Sequence, residues 1–402
     1  MNKNIRALYE IAQKETRKII GLMSGTSLDG LDIALCAISG AGENTDVKIL
    51  EFETINYTED IKTEIRKVFA QKTIDFQHLA LLNEWIGILH ANMVNDCLSK
   101  WNIPAQEVDL IASHGQTVLH APKFLHQQEK FPNATLQIGD GDHIAVKTGI
   151  ITLSDFRQKH VAAGGEGAPL AVYGDYLLFS KKDENRIMLN MGGIANFTYL
   201  PASLNTSNVF VTDTGTANTL IDIYTKHYFP EKSYDKDAEI SKSGIVNQDL
   251  LTELKSDAFF TKSFPKTIGQ ELFNFEFVQK ALLKTGYTTI SAPDLLATLT
   301  CLSAETIAEA ILFVVNNSGT PIEDFTVYMS GGGANNPLLV TWLKELLPCR
   351  FQKSDDLGIA GDAKEAVLFA ILANETVAGG DYNFGLKKGI PSVTMGKISF
   401  PG

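Results

Sequence analysis

The sequence has no run of 18 or more consecutive apolar residues, which argues against a membrane-spanning segment. Its four cysteines, Cys36, Cys97, Cys301 and Cys349, lie far apart with no CxxC pair, which argues against a zinc framework or a disulfide scaffold and suits a reducing, cytoplasmic setting. Positive charge is scarce: 35 Lys and Arg against 47 Asp and Glu leave a formal charge of −12, so a nucleic-acid backbone is disfavoured as a partner. There is no GxxxxGK[ST] and no GxGxxG opening a helix after the first strand, which excludes a P-loop protein and disfavours a Rossmann dehydrogenase. Residues 1–18 lack a continuous apolar core and so do not form a secretion signal; Ile5, Leu8 and Ala12 instead mark one face of a short helix.

What is present is ordinary globular composition, 44% apolar and 20% charged, over 402 residues, a length that favours two domains. Ile19 to Met23 is an apolar strand that enters Ser24-Gly25-Thr26-Ser27-Leu28-Asp29-Gly30 and leaves as Leu31 to Cys36. Strand, polar glycine turn and strand form a hairpin signature. A third strand spans Val47 to Ile55, and residues 79–97 carry apolar positions at helical spacing. Val108 to Ser113 is a buried strand ending on His114, and Leu119 to Ala134 reads as a loop.

The pattern returns at Ile187 to Asn190, Met191-Gly192-Gly193 and Ile194 to Leu200. A strand at Val209–Thr212 ends on Asp213-Thr214-Gly215, and Phe325–Met329 runs into Ser330-Gly331-Gly332-Gly333. Helices are expected over 217–227, 294–315, 336–347 and 363–373. Two strand–turn–strand units, each followed by strands alternating with helices, predict a duplicated α/β architecture.

Glycine turns near 24–30, 139–141, 191–193 and 330–333, together with Gly164-Gly165-Glu166-Gly167, let backbone amides approach phosphate oxygens. A single turn of this kind is only a turn; several carrying Ser, Thr or Asn favour a nucleotide. Asp29, Asp32 and Asp213 stand at such turns, where phosphoryl transfer would need carboxylates and Mg²⁺. Asp213 also reads as an N-cap for the helix that follows. His114 is either a ligand or a satisfied core residue, and Ser154 to Gly167 reads as a polar binding loop.

These segments resemble the signature set of the anhydro-N-acetylmuramic acid kinase family. They are Gly21–Asp32, Ser113–Thr117, Leu136–Asp140, Asp155–Arg157, Gly164–Leu170, Leu189–Asn196, Asp213–Gly215, Tyr234–Asp237, Pro265–Thr267 and Ser330–Gly333. The resemblance implies a two-domain, actin-like and hexokinase-like (duplicated ribonuclease H-like) α/β fold around a central cleft. It divides the chain into an extension at 1–18, a first domain at 19–145 joined by about 362–402, and a second at 146–361. It implies ATP and Mg²⁺ as cofactors, an anhydrosugar substrate, a cytoplasmic location and a homodimer. By the resemblance Gly25, Thr26, Ser27, Leu28, Asp29, Gly30, Leu31 and Asp32 form the first phosphate loop, with Asp29 and Asp32 near Mg²⁺. Asn190, Gly192, Gly193 and Asn196 form the second, and Gly331, Gly332, Gly333 and Asn335 the adenosine site. Asp213 is the implied general base, and His114, Gln116, Arg157, His160 and Glu166 the sugar contacts.

Three departures stand out: His160 where the family has Asp, Thr216-Ala217 where it has Pro-Gly, and Gln270 where Arg is common. They leave open a kinase for another anhydrosugar, such as levoglucosan. A non-catalytic ATP sensor is the remaining alternative, and the presence of Asp213 opposes it.

Overall fold

The computed structural model describes residues 1–168, 170–268, 272–287, 289–359, 361–379 and 391–402. Two compact units divide the chain: Met1–Leu178 with Asp362–Gly402, and Phe179–Gly361.

The first unit is built on a seven-stranded sheet. Its strands are β1 (Thr16–Ser24), β2 (Gly30–Ser39), β3 (Asp46–Asn56), β4 (Leu110–Ala121), β5 (Ala134–Ile138), β6 (Thr152–Ser154) and β12 (Lys397–Ser399), in the order β12-β6-β4-β1-β2-β3, with β5 on β4. β1, β2 and β3 form an antiparallel meander, while β1, β4 and β6 run parallel. Alternation decides the packing of β1. Ile20 and Leu22 enter a core with Ile33, Leu35 and the Phe76–Trp101 helix residues Ile86 and Val94. Gly21, on the other face, meets the helix Lys364–Ala378 at backbone contact.

The second unit repeats the plan with β7 (Asn185–Met191), β8 (Ile194–Leu200), β9 (Phe210–Thr216), β10 (Phe325–Ser330) and β11 (Arg350–Lys353), in the order β11-β10-β7-β8-β9. Again three strands form a meander, and again the first of them runs parallel to two later ones. The central strands β7 and β10 are buried on both faces, which suits their unbroken apolar stretches. The duplication is therefore one of topology more than of residues.

Several expectations shift. Residues 146–178 belong to the first unit, because β6 pairs with β4 at Ile111↔Thr152; the boundary expected at 146 lies at 179. β4 runs past His114 to Ala121 and returns as β5, so part of the expected 119–134 loop is a hairpin. The polar run from Ser154 contains a helix, Phe156–Ala162. The expected extension at 1–18 holds a helix, Lys3–Ala12, and the first three residues of β1, which starts at Thr16. That helix buries Ile11 and leaves Ile5 exposed, packs on the Lys364–Ala378 helix, and donates from Asn4 Nδ2 to the carbonyl of Pro401 (2.9 Å). The Ala292–Ser318 helix is long and apolar enough to cross a membrane, yet it forms the core of the second unit and most of it is buried. All four cysteines are free thiols, and burial pushes Cys36 up to about 12.

Candidate functional site

Residues singled out by the sequence fall in both units. In the first, β1 ends on Ser24, and the loop to Gly30 is shaped by Leu28, which takes a left-handed φ of 59° and is buried. Leu28 and Leu31 point into the core, so these two anchor the loop rather than line it. Thr26, Ser27 and Asp29 are exposed, and Gly25, Gly30 and Asp32 are half-buried. Gly30 has no room for a Cβ, which would lie 2.3 Å from the Ile55 carbonyl oxygen of β3.

A buried polar chain holds the start of this loop. Gln116 Nε2 donates to the Gly25 carbonyl (3.1 Å), and Ser24 Oγ donates to Gln116 Oε1 (2.5 Å). The Tyr57 hydroxyl lies 2.9 Å from Ser24 Oγ and 2.7 Å from His90 Nε2. Since the Ser24 proton is spent on Gln116, Tyr57 donates to Ser24 and His90 Nε2–H donates to Tyr57. Burial holds the His90 imidazole down at about 4, so it is neutral and carries its proton on Nε2. Tyr57→Phe leaves the buried His90 Nε2–H without an acceptor and takes from Ser24 the hydrogen bond it accepts, while its bond to Gln116 stays. The expected cost is about 2 kcal/mol in the first unit, read by unfolding followed through Trp85 and Trp101; an unchanged midpoint would refute it.

The expected sugar contacts divide. Arg157 is half-buried; its Nε donates to His114 Nε2 (2.8 Å) and its Nη1 to the Gly167 carbonyl (2.6 Å). Burial lowers the guanidinium to about 10, and nearby Glu365 opposes that shift. His114, Gln116 and His160 are buried and bond inside the protein. His114 packs on Phe369 and orients Arg157; burial first, then Arg157, holds its pKa well below the ordinary histidine value. His160 Nδ1 accepts from the Gly167 N–H (2.9 Å), and its ring stands edge-on to Tyr173. Here the departure from Asp is a neutral loop-holding residue. Glu166 is half-buried on the loop that His160 secures.

Sequence reading passed over Asp362 and Glu365, at the start of the Lys364–Ala378 helix. Burial raises the Asp32 carboxyl, as do its acidic neighbours Asp362 and Asp29, while the Thr54 hydroxyl donates to it (2.6 Å). Glu365 is solvent-reachable but hemmed in by protein, which raises its carboxyl; Arg157 pulls it back and Asp32 adds to the rise. The signal available was Gly361-Asp362 opening an apolar helix.

In the second unit a row of half-buried polar side chains crosses four adjacent strands. Ser330 on β10 pairs with Asn190 on β7, Asn190 with Asn196 on β8, and Asn196 with Asp213 on β9. Residues directly opposite share a face. The last step depends on a bulge: Ala195 faces Gly215 while Asn196 faces Asp213, so Thr214 is the extra residue that turns Asp213 into the row. Asp213 thus lies inside β9, and the cap of the following helix is Asn218. The Ile268 N–H donates to Asp213 Oδ2 (2.8 Å); burial nevertheless pushes this carboxyl up to about 6.

Two glycine turns flank the row. Parallel pairing of β10 with β7 brings Gly331 against the end of β7, where a Cβ would lie 2.7 Å from the Met191 carbonyl and 2.8 Å from Asn190 Oδ1. Asn218, in no assigned role before, clamps the other turn. Its Nδ2 donates to the Met191 and Gly192 carbonyls (3.1 and 2.7 Å), and its N–H to Gly192 (3.1 Å). Ala217 donates its N–H to Gly193 (2.8 Å) and is not among the residues with positive φ, so alanine replaces glycine there without strain. Gly332 and Asn335 are exposed, and Gly333 is buried against Met191. Gln270, the remaining departure, lies outside the described residues.

Glycine turns at the ends of parallel strands thus lie beside a half-buried carboxylate with a raised pKa, in an α/β protein, the kind of setting in which functional groups cluster. The profile of the anhydro-N-acetylmuramic acid kinase family matches residues 17–397. The sequence is 54% identical over 404 residues to anhydro-N-acetylmuramic acid kinase of Pseudoalteromonas atlantica, covering all of both chains. It is 39% identical to that of Caldanaerobacter subterraneus subsp. tengcongensis, covering 98% of this chain and 99% of the other. Among solved structures, an activator of 2-hydroxyisocaproyl-CoA dehydratase from Clostridium difficile aligns over 90% of this chain and 95% of its own, with 12% identity and a TM-score of 0.36. A putative N-acetylmannosamine kinase from Listeria monocytogenes aligns over 89% and 98%, with 11% identity and a TM-score of 0.34. The chain belongs to the anhydro-N-acetylmuramic acid kinase family, a family of carbohydrate kinases.

Proposed function

We propose that the protein phosphorylates 1,6-anhydro-N-acetylmuramic acid with ATP while water opens the anhydro bridge. Water attacks C1, the C1–O6 bond breaks, and O6 takes the γ-phosphoryl group. The products are N-acetylmuramic acid 6-phosphate and ADP, as recycling of cell-wall peptidoglycan requires. Family membership across nearly the whole chain supports the substrate, and the Ser330–Asn190–Asn196–Asp213 row is the observation that supports the chemistry.

Asp213 is the only acid in that row. A carboxyl held near 6 is ionised at neutral pH yet basic enough to take a proton from water, which a carboxylate at its ordinary value does poorly. Asn190, Asn196 and the Gly192-Gly193 turn offer uncharged donors to phosphate oxygens, and Gly25 to Asp32 offer the same in the first unit. Gly331 to Gly333 and Asn335 serve adenosine. Exposed or half-buried Arg157 and Glu166 are the direct sugar contacts, with His114, Gln116 and His160 holding them or the loops in place.

Asp29, Asp32 and Asp362 do not converge on one point as a preformed metal cage, but they are hard oxygen donors that would share a Mg²⁺ brought in with ATP. Burial first, then repulsion from Asp362 and Asp29, raises Asp32, and a cation would relieve the repulsion. Bound there with ATP, Mg²⁺ would offset phosphate charge. A cytoplasmic location and a homodimer complete the reading.

The test is ADP release with 1,6-anhydro-N-acetylmuramic acid, ATP and Mg²⁺, run beside levoglucosan and beside an EDTA control. We expect turnover with the muramic sugar that EDTA abolishes. ATP binding without turnover on that sugar would sink the substrate assignment.

A further inference from the structure

We propose that Lys266 is a positioning residue for Asp213: caged by three phenylalanines, it fixes the segment whose backbone holds β9 and the Asp213 carboxylate in place. The proposal rests on the reading of Asp213 as the base. The chemistry described so far has no use for Lys266, and its surroundings are unusual. The side chain is only 7% exposed. Its ammonium sits 4.5 Å from the ring centre of Phe264, 4.6 Å from Phe259 and 5.8 Å from Phe260. It donates to the carbonyls of Phe259 (3.3 Å) and Phe260 (3.2 Å), in the short helix Ala258–Thr261. Among the described residues no carboxylate lies within ion-pair distance of it; Glu309, on the Ala292–Ser318 helix, and Lys262 act on it only from further away.

Burying an ammonium without a counter-ion is costly, and a methionine would fill the same space. Lysine instead ties residue 266 to residues 259 and 260 through two carbonyls and three ring faces. The backbone of Lys266 is then spent on the base. Its N–H donates to Thr212 Oγ1 (3.0 Å), and its carbonyl accepts from the Asp213 N–H (2.9 Å). Two residues on, Ile268 supplies the N–H that holds Asp213 Oδ2. The cage also reaches Gly215, two residues beyond Asp213 on β9. Phe260 lies 3.0 Å from where a Cβ on Gly215 would sit, so a ring of the cage and the 266–268 backbone both touch the bulged Asp213-Thr214-Gly215 segment. The motifs around Asp213 and Lys266, some 50 residues apart in sequence, are one device.

Releasing the segment weakens the Ile268 N–H bond, the contact that favours the ionised form of Asp213, so the carboxyl moves further upward. Glu309 and Lys262 act on Lys266 from a distance, neither is among the groups that shift Asp213, and both are kept in the variants.

The experiment compares wild type, Lys266→Met, Phe264→Leu and Asp213→Asn by steady-state kinetics across pH 5–8, with ATP binding measured by calorimetry. For Lys266→Met we expect KM values within about twofold, kcat lower by roughly 10- to 100-fold, and an acid limb of kcat/KM displaced to higher pH. Phe264→Leu moves the limb the same way by less. Wild-type kcat and an unmoved limb in Lys266→Met, with Asp213→Asn inactive, overturns the positioning role alone. Activity retained in Asp213→Asn overturns the underlying reading instead. If Lys266→Met does not fold, Phe264→Leu decides: an unmoved limb there refutes the proposal.

Discussion

Asp213→Asn loses sugar-dependent ADP release by roughly 100- to 10,000-fold while its affinity for ATP stays within about twofold. Asparagine preserves the shape and still offers an oxygen to the Ile268 N–H, so the bulge and the row survive. What disappears is the charge that accepts a proton from water. The wild-type pH profile carries the same signature. With the carboxyl near 6, kcat/KM falls as pH drops through that value, and the residual rate of the variant lacks this limb.

Stability moves the other way. The folded pKa lies above the unfolded carboxylate value, so the folded state binds more protons between about 4 and 6 and loses stability as pH rises through that window. At neutral pH the ionised group costs on the order of 2 kcal/mol. Asp213→Asn therefore melts above wild type at pH 7.5, and the gap closes toward pH 4. A variant that melts lower at pH 7.5, or that keeps its turnover, contradicts the assignment.

Gly21→Ala has the largest expected effect on stability. A Cβ at Gly21 would stand 1.8 Å from the carbonyl oxygen of Ala366, 2.7 Å from its carbon and 3.2 Å from the Ala370 nitrogen. All three are backbone atoms of one helix, so no side chain can swing aside. Relief requires the Lys364–Ala378 helix, buried from Ala366 to Glu375, to lift from β1. The expected loss is about 4 kcal/mol in the first unit, beyond the range of ordinary substitutions. Trp85 and Trp101 belong to that unit and Trp342 to the other, so fluorescence in a Trp342→Phe background follows the first alone. A shift under 1 kcal/mol would show that the helix yields easily.

Local signals made both hairpins, the glycine turns and the long helices legible, because apolar runs broken by glycine are written in neighbouring residues. Asp213 was found as a residue but not as a position: a strand end or an N-cap fits the string Thr212-Asp213-Thr214-Gly215 equally well. Only pairing with β8 reveals the bulge that turns it into the row. Register and strand order are long-range facts, and the row joins residues 190, 196, 213 and 330 through them. Histidine misled for a related reason. His114, Gln116 and His160 look like ligands in a polar string, yet each is buried and meets its partners inside the protein. Lys266 was legible only as part of a family motif, and nothing local says that its ammonium sits among Phe259, Phe260 and Phe264.

The chain leaves the first unit after Leu178 and re-enters it at Asp362. On a translating ribosome, therefore, the second unit is fully exposed and free to fold while the first still lacks the helix that seals β1 and the strand that borders β6. Until residue 378 emerges, Gly21 lies uncovered and the early sheet has an open face. The half synthesised first is the half completed last, and a nascent chain stalled near residue 360 would bind chaperones through β1.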